Sequence, residues 1–220
     1  MPGCSTDQQL LLVLKHRDEI AQHVLLVVYL GNDIFDNMRS YPLQADHGKP
    51  FFKLTGDTLS LENTPVPLQA KPAAVKAESV SSIILGEDSR RNNLAGWLAR
   101  LEISQRLGLV QDKVSLSDDV MQSRFEESLI LFNKLVTEMK DIIDKNNGRL
   151  SVVLMPGRSY VEQPGSLSAQ FQEYFRSNIT SSLTTGSSIE VLDLASHLRD
   201  LHINGVNDLY LALIHISEPT

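Results

Sequence analysis

The chain has 220 residues, of which 42% are hydrophobic, and a formal net charge of -7; that size suits one domain, or one domain with an insertion, built on an ordinary core. The acidic balance, without any basic cluster interleaved with aromatics, argues against nucleic acid and against an anionic membrane surface as partners. A single cysteine, Cys4, excludes an internal disulfide and a cysteine-based zinc site. No GxGxxG or GxxxxGK[ST] loop occurs, so a nucleotide-binding domain is disfavoured, and neither a cofactor nor a metal is expected.

In chain order, Ser5 or Thr6 is placed to cap a helix that starts near Asp7. Its apolar run, Leu10 to Leu14, ends in Lys15-His16-Arg17, charges that suit the negative end of a helix dipole. Val24 to Leu30 is apolar without alternation, which predicts a strand buried on both faces of a parallel sheet. It is too short to span a membrane. Gly31-Asn32-Asp33 follows at the strand's carboxyl end, where open parallel sheets bind ligands.

Phe51-Phe52-Lys53-Leu54 and Thr58-Leu59-Ser60-Leu61 flank a glycine turn and predict a hairpin, closed by Pro65 and Pro67. Leu94, Leu98, Leu101 and Gln105 share one face of a helix expected over Leu94 to Leu107, with Trp97 a packing residue. Residues 42–116 as a whole are expected to be an insertion in an α/β core. Between Ser117 and Asn146 a long helix is predicted from Phe125, Leu129, Phe132, Val136, Met139 and Ile143, with Gly148 at its C′ position. A second buried strand, Leu150 to Met155, leads into Pro156-Gly157-Arg158-Ser159. A helix within Ser166 to Ser177 and a third strand, Ile189 to Leu194, complete the series. Strands and helices that alternate in this way imply right-handed crossovers and a parallel sheet covered by helices.

Several of these pieces together resemble the SGNH, or GDSL-type, hydrolase superfamily. They are Pro2-Gly3-Cys4-Ser5-Thr6-Asp7-Gln8-Gln9 before a helix, Leu30-Gly31-Asn32-Asp33 after a strand, the hairpin ending in Pro65-Val66-Pro67, and the strand exits VLMPGR and VLDL. The resemblance implies a three-layer α/β/α, flavodoxin-like parallel sheet. It also implies a serine esterase or acyl hydrolase acting on an acyl or acetyl ester, a small molecule or a glycan. Asn32 would be the side-chain donor of an oxyanion hole and Gly3 its backbone donor. Neutral donors stabilise a developing O⁻ without burying a charge, and losing one costs on the order of 10²–10³ in rate. Asp33 is expected to be structural, accepting N–H bonds in the turn.

The chain departs from the family pattern at both ends. No GDS-type block precedes Gly3. Gly56-Asp57-Thr58 falls in the hairpin turn and Gly86-Glu87-Asp88-Ser89 in the insertion, so neither suits a nucleophile. No DxxH block is found. Asp193 and His197 are four residues apart, His197 and His202 are assigned to an exposed helix, and LALIHISEPT does not resemble the family's ending. A chain without nucleophile and base is expected to be an incomplete hydrolase, inactive alone, that exposes strand edges and apolar faces. The alternative is a non-catalytic SGNH-like module that binds a carbohydrate or polymer at the same strand ends. Neither compartment nor oligomeric state is selected by any of these features.

Overall fold

The computed structural model describes residues 4–20, 22–42, 47–68, 71–72, 118–187, 189–206 and 209. The predicted helix over Leu94 to Leu107, Trp97 and much of the expected insertion lie outside them.

Helix α1 (Thr6–Lys15) precedes strand β1 (His23–Tyr29). A single helical turn, α2 (Asp33–Asp36), follows β1 directly. Strands β2 (Phe51–Thr55) and β3 (Thr58–Glu62) form the expected hairpin. Its two-residue turn uses Gly56 at φ +59°, a backbone state that glycine adopts without a Cβ penalty. The long helix α3 (Asp118–Lys145) leads to β4 (Arg149–Met155), the short α4 (Arg158–Glu162), α5 (Leu167–Gly186), β5 (Glu190–Asp193) and α6 (Leu194–Ile203). The chain is thus a mixed α/β fold whose main sheet is parallel, in the order β1-β4-β5.

All six residues of the predicted α3 stripe are buried, and Phe132, Val136 and Ile143 are fully so. They pack with Leu26 and Val28 of β1, Leu150, Val152 and Leu154 of β4, and Phe171, Phe175, Ile179 and Leu183 of α5. Helix α5 runs nine residues beyond the predicted Ser177 because Ile179 and Leu183 continue its apolar stripe. Ser166 caps it by accepting the Ala169 N–H at 3.1 Å. Phe52 of β2 belongs to the same core, so the hairpin packs on the body of the fold.

Two expectations need correction. Gly148 is not the C′ residue of α3. Asn147 takes that place at φ +57°, with its N–H on Asp144 O at 2.9 Å and the Gly148 N–H on Ile143 O at 2.9 Å. This is a Schellman arrangement shifted by one residue, and asparagine tolerates the left-handed region. Nor is β1 buried on both faces. Leu26 and Val28 are buried, but Leu25 is 60% and Val27 45% exposed, and Leu192 of β5 on the same face is 55% exposed. Topology explains the difference. The chain moves from β1 to β4 to β5 in one direction, and right-handed crossovers that do not reverse place their helices on one side. Helices α3 and α5 both fall there, and the opposite face is left without a crossover helix among the described residues.

Candidate functional site

The carboxyl end of β1 meets the amino end of α1 and the segment before the hairpin. Three stretches distant in sequence converge there on a run of buried polar contacts. Asp7, in the first turn of α1, is fully buried beside Lys49, itself 2% exposed, and Lys49 Nζ donates to Asp7 Oδ2. Asp7 Oδ1 accepts Ser5 Oγ–H and the Gln8 N–H, each at 2.7 Å. Ser5 therefore precedes α1 without the usual side-chain cap, its hydroxyl being committed to Asp7. Burial pushes the Asp7 carboxyl up and the Lys49 ammonium down, each opposed by the charge of the other.

The Asp7 N–H donates to Asn37 Oδ1 at 3.1 Å, which ties α1 to the end of α2. Within the turn, Asp33 Oδ2 accepts the Tyr29 N–H at 2.8 Å. Asp33 is thus the structural turn carboxylate expected from the sequence. Burial, with the nearby Asp36 charge, raises it to about 7 even though the Tyr29 N–H bond favours the ionised form. Asn32 precedes α2 and is half-buried; its Nδ2 donates to Asp36 Oδ2 at 2.5 Å. Ile34 and Phe35 anchor the short helix. Phe35 packs against Phe125, Phe171 and Phe175 with ring centroids 5.4–5.6 Å apart.

The Tyr29 ring lies between the exits of β1 and β4, beside Gly31 and Gly157. A Cβ placed on Gly31 would stand 2.3 Å from Tyr29 Cε1, and one on Gly157 would stand 3.0 Å from Tyr29 Oη. Glycine at both exits lets the ring lie against the backbone. The Gly157 N–H donates to Gln172 Oε1 at 2.6 Å, and Gln172 Nε2 reaches Ser159 Oγ and Ser168 Oγ at 3.1 and 3.2 Å. This second polar group organises the PGRS turn.

Of the oxyanion-hole pair expected from the sequence, Asn32 stands at the strand end and Gly3 lies outside the described residues. Asp193 caps α6 through Ala195 N at 2.9 Å and pairs with Arg176 at 2.5 Å, so both its carboxylate oxygens have structural partners. Burial would raise nearby Glu173, but hydrogen bonds from Arg176 and Tyr160 hold it down to about 2. His197 of α6 is exposed, as expected, and His202 of the same helix is half-buried. Asp57 sits in the hairpin turn and pairs with Lys134 at 3.1 Å. A serine–histidine hydrogen bond does occur, between His23 Nε2 and Ser151 Oγ at 2.8 Å, but near the amino ends of β1 and β4, away from Asn32.

Asp7, Asp36, Asn37 and Lys49 were not singled out in the sequence. Each alone reads as an ordinary polar residue, and only the fold buries them together. Among the described residues, no group of three or more His, Cys, Asp or Glu side chains is arranged to hold a metal ion, and no helix is long and apolar enough to cross a membrane. No protein-family model, curated protein or solved structure matches this chain.

Proposed function

We propose that this chain contributes the oxyanion-binding wall of an SGNH-type ester hydrolase with a three-layer, flavodoxin-like architecture, acting on an acyl or acetyl ester. The observation that carries the reading is the Asn32 amide. It is neutral, half-buried and held at the carboxyl end of a parallel strand by a turn in which Asp33 and Asp36 both have partners. One of its two N–H groups is used by Asp36, and the other remains as a donor for an oxyanion. Gly3, as the backbone donor, would complete the pair. The sequence carries no GDS-type or DxxH block suited to serve Asn32, so the chain alone is expected to hydrolyse esters only at the background rate. The same observation favours the second reading, a non-catalytic module binding a carbohydrate or polymer.

The test uses p-nitrophenyl methylphosphonate, whose P–O⁻ stands in for the tetrahedral oxyanion. Titration followed by ¹H–¹⁵N spectra should shift the Asn32 side-chain resonances, and Asn32→Ala should abolish binding. Binding that leaves those resonances untouched would overturn the oxyanion role. Turnover of p-nitrophenyl acetate well above background, lost in Asn32→Ala, would show that the site is complete in this chain and would remove the binding-module reading.

A further inference from the structure

An asparagine serves as an oxyanion donor only if its NH₂, not its carbonyl, faces the reacting atom, and the two orientations differ by a simple flip of χ2. A half-buried asparagine in a turn has no intrinsic preference between them. Here the choice is imposed from one turn of helix away. Asp36 is 2% exposed, and ionised it can only accept, so at 2.5 Å from Asn32 it admits the nitrogen and rejects the oxygen. The side chain that holds Asn32 is itself held. Asp36 follows the anchored pair Ile34 and Phe35, and its N–H donates to Asn32 O at 2.9 Å. Lys49 and Arg39 face Asp36 electrostatically, which offsets a charge that would otherwise oppose an anion beside Asn32.

We propose that Asp36 is a positioning residue that locks the Asn32 side-chain amide in its donor orientation. The assignment rests on the oxyanion reading for its purpose but not for its test, because the lock exists in the free chain. An isosteric Asp36→Asn change makes the point sharply. The new amide can donate to Asn32 Oδ1 as well as accept from Nδ2, so it permits the flip that the carboxylate forbids.

The experiment is a ¹H–¹⁵N spectrum of the full chain without any ester or phosphonate, with Asn32 side-chain resonances assigned by their loss in Asn32→Ala. In the unsubstituted chain one Asn32 Nδ2 proton should lie downfield and exchange slowly with solvent. In Asp36→Asn the downfield displacement should be lost and exchange should quicken about tenfold or more, the equivalent of a charge-assisted bond. Asp36→Ala should do the same. Asp33→Asn, a buried carboxylate changed in the same turn, should leave both Asn32 signals in place. Unchanged Asn32 signals in folded Asp36→Asn would overturn the proposal. So would equal movement in Asp33→Asn, since the effect would then be a general loosening of the turn. Because Asp36→Asn preserves volume, it keeps the test informative if Asp36→Ala fails to fold. Failure of phosphonate binding with the Asn32 signals behaving as described would remove the oxyanion reading and leave the lock standing.

Discussion

Lys49→Met should unmask the cost of burying Asp7. The substitution keeps the length of the buried stem and removes its charge, leaving a carboxylate that is fully inaccessible to water. Breaking a buried pair from one side typically costs about 3–5 kcal/mol. The structure points to the lower end, because Asp7 Oδ1 retains its bonds from Ser5 and Gln8 and only Oδ2 loses its partner. A loss of about 3 kcal/mol corresponds to a melting temperature roughly 6–12 °C lower in a domain of this size. The sign of the pH dependence follows from the group left behind. Burial already pushes the Asp7 carboxyl up, and removing Lys49 removes the charge that opposed that push. A carboxyl raised in the folded state is destabilising where it must be ionised and harmless where it is protonated in both states. The Lys49→Met deficit should therefore be large at pH 7.5 and shrink at pH 4.5. Urea unfolding followed by circular dichroism at both pH values measures it. Adding Asp7→Asn to Lys49→Met should restore at least half of the loss at pH 7.5. A deficit below about 1 kcal/mol, or one of equal size at both pH values, would refute the reasoning.

Asp33 supplies a second pH-dependent effect. Its carboxyl is raised from 3.8 to about 7, so folding stability should fall as pH rises between these values and level off above them. Asp33→Asn keeps an acceptor for the Tyr29 N–H and removes the titration. It should stabilise the fold at pH 8, by at most ~4 kcal/mol at 1.36 kcal/mol per unit, with no gain at pH 3.5, as read from urea midpoints. Gly31→Ala should cost about 1–3 kcal/mol because the new methyl meets the Tyr29 ring, and adding Tyr29→Ala should make the methyl itself nearly free in a double-mutant cycle. Leu25→Thr with Leu192→Thr should cost less than about 1 kcal/mol, since both side chains are already more than half exposed, while lowering dye binding to apolar surface and self-association in sedimentation.

Much of the framework was legible because period and length are local signals. The hairpin about Gly56 and the VLMPGR strand each declare themselves within a dozen residues, and the α3 stripe, Phe125 to Ile143, within about twenty. What was not legible is set by strand order. Nothing in VLLVVYL distinguishes a strand flanked by helices on both sides from one whose crossovers all fall on one side, yet that difference leaves Leu25 and Val27 exposed. The Schellman end of α3 was displaced by one residue because asparagine and glycine both suit the left-handed position and stand side by side at 147 and 148. At the candidate site, Asn32 drew attention through its place after a strand, within the short polar run Gly31-Asn32-Asp33. Its lock was hidden, because Asp36 gains its role from burial and from an i,i+4 contact within a helix of four residues. Lys49 and Asp7, 42 positions apart, leave no local pattern at all.

The Phe35 junction has a mechanical consequence. A four-residue helix has no stability of its own, and loops at strand ends commonly open at far lower free energy than the body of a protein. Here the turn carrying Asn32 is riveted into the aromatic core shared by α3 and α5. It has no route to a partly open state that leaves those rings packed. Its backbone should open only with the global unfolding of the domain. The geometry of the Asn32 turn is consequently as durable as the fold itself, and conformational adjustment near it must come from the surrounding segments and not from this turn.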